Sequence, residues 1–195
     1  MWKDLKTGLI AIVLMTVFLG LAYPLAITGI SQVVFPGKAN GSLVKAGGRV
    51  VGSSLIGQEF KGRAYFHPRP SATEYSGNVT FFGNAAPNSV EAREEVREYL
   101  KAYLQLEKPF DRSLTSEDVP VDAVTQSASG VDPHISDANA RIQAHRVAAV
   151  RHLPLSQVED LISANTDGRF LGLLGEPGVN VLELNIALDK EAPVE

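Results

Sequence analysis

The sequence predicts an α+β protein in which a single N-terminal transmembrane helix precedes one mixed soluble domain. Three observations lead there. An uncharged apolar run lies near the start, a glycine pair separates two short β-branched runs beyond it, and two later stretches repeat apolar residues at helical intervals. The organisation reads as a tail over 1–6, a membrane helix over 7–29, a linker over 30–38, a domain over 39–190 and a second tail over 191–195.

From Thr7 to Gly37 no side chain is charged, and "GLIAIVLMTVFLGLAYPLAI" (Gly8 to Ile27) is largely apolar. At about 1.5 Å per residue this run crosses a hydrocarbon core of about 30 Å. Pro24 is expected to kink the helix or mark its last turn. The alternative is a cleavable signal peptide, because Gly20-Leu21-Ala22 has small residues suited to cleavage, which would release a secreted binding domain after Ala22. The apolar run continues past Ala22 and favours the membrane helix. Lys3 and Lys6 on one side nearly balance Lys38, Lys45 and Arg49 on the other, so local charge leaves the orientation open.

Residues 38–195 carry 16 basic and 21 acidic side chains, a net of −5. That balance argues against nucleic acid or anionic lipid as a partner of the domain. With no cysteine there is no disulfide frame and no thiolate metal site.

Within the domain, "SLVKAGGRVVGS" predicts a hairpin turning at Gly47 and Gly48, and a further strand is expected through Leu55 and Ile56. Residues 63–88 read as a long ordered loop anchored by Tyr65, Phe66, Tyr75, Phe81 and Phe82. Asn88 and Glu91 have capping-box spacing for a helix packing Val96, Tyr99, Leu100 and Tyr103. After a polar, acidic linker near Ser113 to Asp118, Ser136 caps a second helix with Ala138, Ile142, Ala149 and Leu153 as its apolar stripe, ending at Pro154. Ser156 and Glu159 suggest another capping box, for a short helix through Val158, Leu161 and Ile162. The alternation from Leu182 to Leu188, with Glu183 and Asn185 on the opposite face, predicts a strand.

Chemistry concentrates in "SASGVDPHIS", Ser127 to Ser136. A membrane-anchored serine hydrolase would use Ser129 with His134 and Asp132. The glycines that flank the serine of a nucleophile elbow are here Ser127 and Val131, and three neighbours on an extended segment do not converge on one point. The competing expectation is structural: Asp132 and Pro133 set a turn, His134 packs at the junction and Ser136 caps the helix. The histidines offer no metal spacing, since His145 and His152 stand about 10 Å apart along one helix. "GLLGEPG" lacks the Lys-Ser/Thr pair of a phosphate loop and reads as a turn.

The segments "GSLV", "VGSSLIGQEF", "YFHPRPSA", "VTQSASGVDPHIS" and "VNVLELNIAL", in this order behind a membrane helix, resemble the KdpC family, the small subunit of the bacterial Kdp potassium-transporting ATPase. The departure is "SGNVTFFGNAAPNS", within 76–89, where that family usually carries a glycine-rich Ser-Gly-Gly-Ser-Asn-x-Gly-Pro segment. The resemblance implies a subunit that is no enzyme alone and acts as a catalytic chaperone raising the pump's ATP affinity. It implies as partners a potassium-channel-like subunit, a P-type ATPase subunit and membrane lipid. It places the chain in the bacterial inner membrane, with one span and a periplasmic C-terminal domain. It also implies ATP as a ligand and potassium as the ion handled by the complex. A periplasmic domain cannot touch cytosolic ATP, and the missing phosphate loop favours the outer location. The contact candidates that follow are Arg69 and Ser71 of the Arg-Pro-Ser-Ala motif, the hydroxyls of Thr125, Ser127 and Ser129, and Asp132. His134, Gln143 and Arg146 complete the contact candidates; with Asn180 and Asn185 they match further family positions, for which a structural role is expected over ion binding.

Overall fold

The computed structural model describes residues 1–77, 79 and 81–193, and the chain divides into two compact units, Met1–Leu43 and Val44–Glu195. The first is built on a continuous helix of 33 residues, Trp2–Val34, none of whose side chains is buried within the chain. It comprises α1 (Trp2–Met15), a π-helical stretch (Thr16–Ala22) and α2 (Tyr23–Val34). The π stretch answers the question Pro24 raised. A proline ring clashes with the carbonyl four residues back, here that of Gly20, and a widened turn relieves this. Tyr23 N–H accordingly donates to the carbonyl of Phe18, five residues earlier. The helix continues to Val34, and a short α3 (Pro36–Ala39) follows. Paired amides of Gln32 and Asn40, at 3.3 and 3.0 Å, close that end.

Next comes the expected hairpin, β1 (Leu43–Ala46) and β2 (Arg49–Ser53), all but Leu43 of it in the second unit. Gly47 and Gly48 both take positive φ, +56° and +78°, as a two-residue hairpin turn demands. No strand forms through Leu55 and Ile56; a single bridge between Ser53 and Ile56 closes a tight turn there. Beyond the loop come α4 (Val90–Glu107), α5 (Val121–Val124), β3 (His134–Ile135), α6 (Asp137–Arg151), α7 (Leu155–Ala164), β4 (Thr166–Asp167), β5 (Gly178–Asn180) and α8 (Val181–Glu191). The small antiparallel sheet has the order β3-β5-β4, pairing His134 with Asn180, Ile135 with Val179 and Asp167 with Gly178. Of the predicted C-terminal tail, Val194 and Glu195 lie outside the described residues, as do Asn78 and Thr80 of the long loop.

Several expectations are corrected. The α4 cap is Ser89, whose Oγ accepts the Ala92 N–H at 3.2 Å, rather than Asn88. α7 starts directly after Pro154 with Ser156 inside its first turn, so the Ser156–Glu159 box does not form. Phe81 and Phe82 are half exposed and lie outside the buried core, whereas Phe66 is fully buried within it. The predicted last strand is α8: Val181, Leu184, Asn185 and Leu188 recur at helical spacing and are all buried. Asn180 caps it by accepting the Glu183 N–H at 3.2 Å.

Ser136 does cap α6, accepting the Asn139 N–H at 3.1 Å, but the buried face of that helix is not the stripe read from the sequence. Ala138 and Ala149 are exposed, and Asn139, Ala140, Gln143, Ala144, Arg146, Val147, Ala148 and Arg151 point inward. The reason is segment 63–67, a turn running into extended chain that joins no sheet and is centred on fully buried Phe66. Its backbone is satisfied by side chains instead. The Asn185 amide accepts from Phe66 N–H at 2.8 Å and donates to Phe66 C=O at 2.9 Å. Gln143 does the same for His67, at 2.7 and 3.1 Å. Arg146 donates to the carbonyls of Arg63 and Tyr65, and Arg151 to that of Ala64. Five consecutive carbonyls thus find donors, as buried backbone must. Arg146 is neutralised by Glu107 at 2.9 Å, both groups fully enclosed. Burial pushes the Glu107 carboxyl up, against the pull of Arg146. Around this polar lattice, Phe66, Ile135, Val147, Val158, Ile162, Val179, Leu184 and Leu188 make one apolar core.

Candidate functional site

Two loops that the sequence singled out separately are clasped together. Arg69 is the clasp: Nη1 meets Asp132 Oδ2 at 3.2 Å, while Nη2 donates to the carbonyl of Gln126 at 3.2 Å and to Thr125 Oγ1 at 3.4 Å. Ser71 Oγ donates to the Gly130 carbonyl at 2.6 Å, and Ser127 N–H donates back to the Pro70 carbonyl at 2.9 Å. Tyr75 O–H donates to the Arg69 carbonyl at 2.9 Å, and burial beside Asp132 holds its phenol well above the usual range. Gly130 closes the clasp because it alone tolerates φ of +72° in the space left by Phe81 and Thr73.

Inside the 127–132 turn, Ser127 is fully buried. Its Oγ accepts the N–H groups of Gly130 and Asp132 at 3.2 and 3.4 Å and lies 3.2 Å from Ser129 Oγ. Ser129 is exposed and accepts the Val131 N–H at 3.2 Å. Asp132 Oδ1 accepts the His134 N–H at 3.0 Å, the turn expected of Asp-Pro. The His134 ring faces away from Ser129. Its Nε2 meets Asp167 at 2.9 Å and its Nδ1 lies 3.9 Å from Asp132, so serine and imidazole have separate partners. A hydrolase needs the imidazole on the serine hydroxyl.

A polar recess of about 320 Å³ lies against this clasp, lined by Arg69, Asp122, Asp132, His134, Asp167 and Glu176. Its acids are committed: Asp122 accepts from Ser136 N–H and Oγ at 2.8 and 2.7 Å and from Asn139 at 3.0 Å, and Glu176 pairs with Arg169 at 2.9 Å. Among the described residues no group of three or more His, Asp or Glu is placed to hold a metal ion. The glycines of "GLLGEPG" shape a tight hairpin between β4 and β5, with positive φ at Gly172 and Gly175.

The structure therefore brings Arg69, Ser71, Thr125, Ser127, Ser129, Asp132 and His134 into one clasp. It places Gln143 and Arg146 elsewhere, wholly inside the domain as supports of 63–67. Sequence reasoning missed Glu107, Asp122 and Arg151, each of which answers a partner distant in sequence and carries no local signal.

A model of the family described as "KdpC: K+-transporting ATPase, c chain" matches residues 5–190. The chain is 48% identical to a potassium-transporting ATPase KdpC subunit of Myxococcus xanthus, over 97% of this chain and 89% of that protein. It is 45% identical to the corresponding subunit of Rhodospirillum rubrum, over 100% and 99%. It is 43% identical to that of Bradyrhizobium diazoefficiens, over 98% and 99%. With nearly all of its apolar helix and its whole clasp inside the matched span, the chain belongs to the KdpC family, the c chains of K+-transporting ATPases.

Proposed function

We propose that the chain is a non-catalytic accessory subunit of an ATP-driven, high-affinity potassium uptake complex, stabilising its assembly and promoting ATP use by the pump subunit. The observation that carries this reading is the family match, which spans helix and domain together. The relatives' names supply potassium and the ATPase. One span anchors the chain, and the domain sits on the periplasmic side. There its net charge of −5 raises the local cation concentration, and its rigid, oxygen-rich clasp suits a lid over a potassium entrance. Ser129, exposed at the rim, is the contact residue of the turn; Arg69 and Ser71 hold its shape. The influence on ATP then passes through the membrane helix or the partner subunits, as a coupling between distant sites.

The test is the assembled transporter with and without this chain. Omitting it should weaken the apparent ATP affinity of potassium-stimulated hydrolysis, and protease added to intact spheroplasts should remove the domain. Unchanged ATP affinity, or a domain cleaved only after lysis, overturns the reading.

A further inference from the structure

We infer that the apex of the β4–β5 hairpin, Phe170 to Leu174, is a docking knob that seats in an apolar pocket with a basic rim on a fellow subunit of the potassium-transporting ATPase. The inference rests on the accessory-subunit reading above. Four of five consecutive residues at this apex are large, apolar and exposed: Phe170 at 68%, Leu171 at 79%, Leu173 at 81% and Leu174 at 62%. Isolated exposed leucines are ordinary, but such a cluster marks an interaction site.

The apex is also built rigidly. Phe170 and Leu174 exchange both backbone hydrogen bonds, at 2.8 and 3.0 Å, and Arg169 meets Glu176 at 2.9 Å across the neck. Below them His134 ties Asp167 to the clasp at 2.9 Å. A preformed knob loses little freedom on binding. Leu171 stands out further, because its φ is +54°, in the left-handed region that glycine or asparagine occupies readily and leucine does not. Backbone and water both disfavour leucine at this position; a partner that buries its side chain supplies the missing compensation.

The chemistry of the knob selects the occupant. Residues 166–178 contain no Trp, Tyr or Lys, the side chains that seat a loop at a bilayer interface, and the single arginine is already paired. With Glu176 paired to Arg169, residues 166–178 still carry one acid in excess, Asp167, 74% exposed at the base, which anionic lipid would repel. A second copy docking knob to knob about a twofold axis would set the two Asp167 carboxylates near one another. A protein pocket lined by apolar side chains and edged by lysine or arginine fits all of these features.

The experiment uses the full-length chain expressed with its fellow subunits in native membranes. A photo-reactive phenylalanine analogue is installed at position 171 or 173, and at exposed Val121 as the control site. The expected result is an adduct with one ATPase subunit from 171 and 173 and none from 121. An adduct with lipid only, an adduct with a second copy, or no adduct while the chain still co-purifies with the ATPase overturns the docking knob and leaves the accessory reading standing. Co-purification with no ATPase subunit overturns both. The double variant Leu171→Asn with Leu173→Ser should keep or raise the thermal midpoint of the purified chain while the complex dissociates on dilution roughly tenfold faster. A dissociation rate equal to wild type overturns the inference.

Discussion

Replacing Asn185 with leucine tests whether segment 63–67 depends on side chains for its backbone hydrogen bonds. The two residues are similar in size, so the perturbation is chiefly chemical. The amide makes both bonds to Phe66, at 2.8 and 2.9 Å, in a place where Asn185 is 1% and Phe66 0% exposed. Each orphaned buried backbone group costs about 1–3 kcal/mol, and the added apolar surface returns about 1 kcal/mol. The net loss is about 3 kcal/mol, equivalent to roughly a 150-fold loss of protection. Hydrogen exchange of the Phe66 amide, followed by mass spectrometry on the full chain in detergent, reads this directly. A change below roughly fivefold would show that water or a shifted neighbour satisfies Phe66, and the account of the polar lattice would fail.

Four further outcomes follow. Ser127→Ala should destabilise the domain by about 1–2 kcal/mol in urea unfolding, because the Asp132 N–H loses its acceptor and the Gly130 N–H is left with only the Ser127 carbonyl at 3.2 Å, while exposed Ser129→Ala stays within about 0.5 kcal/mol. Ser129→Ala should in turn weaken the apparent potassium affinity of the complex, a readout the fold does not control. Gly130→Ala should cost about 2 kcal/mol or more, since it combines φ of +72° with a Cβ only 2.8 Å from the Phe81 carbonyl oxygen. For His67, burial and then the Arg146 charge lower the imidazole below its ordinary 6.5. Its stabilising contribution is therefore present above pH 6.5 and is lost as pH falls through the depressed folded value, because the unfolded chain takes the proton first. The urea midpoint of His67→Gln should fall less between pH 7 and pH 5 than that of the wild-type chain.

Where the local physics acts alone, the sequence was legible. The Gly47-Gly48 hairpin, the Ser136 cap and the apolar N-terminal helix each depend on a few adjacent residues. The α6 face was misread because apolar periodicity assumes an apolar core, and here Gln143 and Arg146 are buried to serve segment 63–67, more than seventy residues away, with Asn139 buried beside them as the acceptor of the Gln143 amide. α8 failed for a related reason. "VNVLELNIAL" satisfies alternation and helical spacing together, and the deciding facts were the Asn180 cap and the inward Asn185, which reads as solvent-facing until Phe66 is known to lie beside it. Of the candidate site, the motif residues were visible, but the clasp that joins Arg69 to Asp132 exists only in three dimensions.

The π stretch at Thr16–Ala22 sets the azimuth of the rod on either side of it. An α-helix advances about 100° per residue, so one residue absorbed in a wide turn rotates every stripe downstream by about that angle. A neighbour gripping Trp2–Met15 along one meridian meets Tyr23–Val34 along another, and the rod presents two separately addressed faces. Deleting one residue between Thr16 and Ala22 would merge them into a single seam, at the cost of restoring the collision between Pro24 and Gly20.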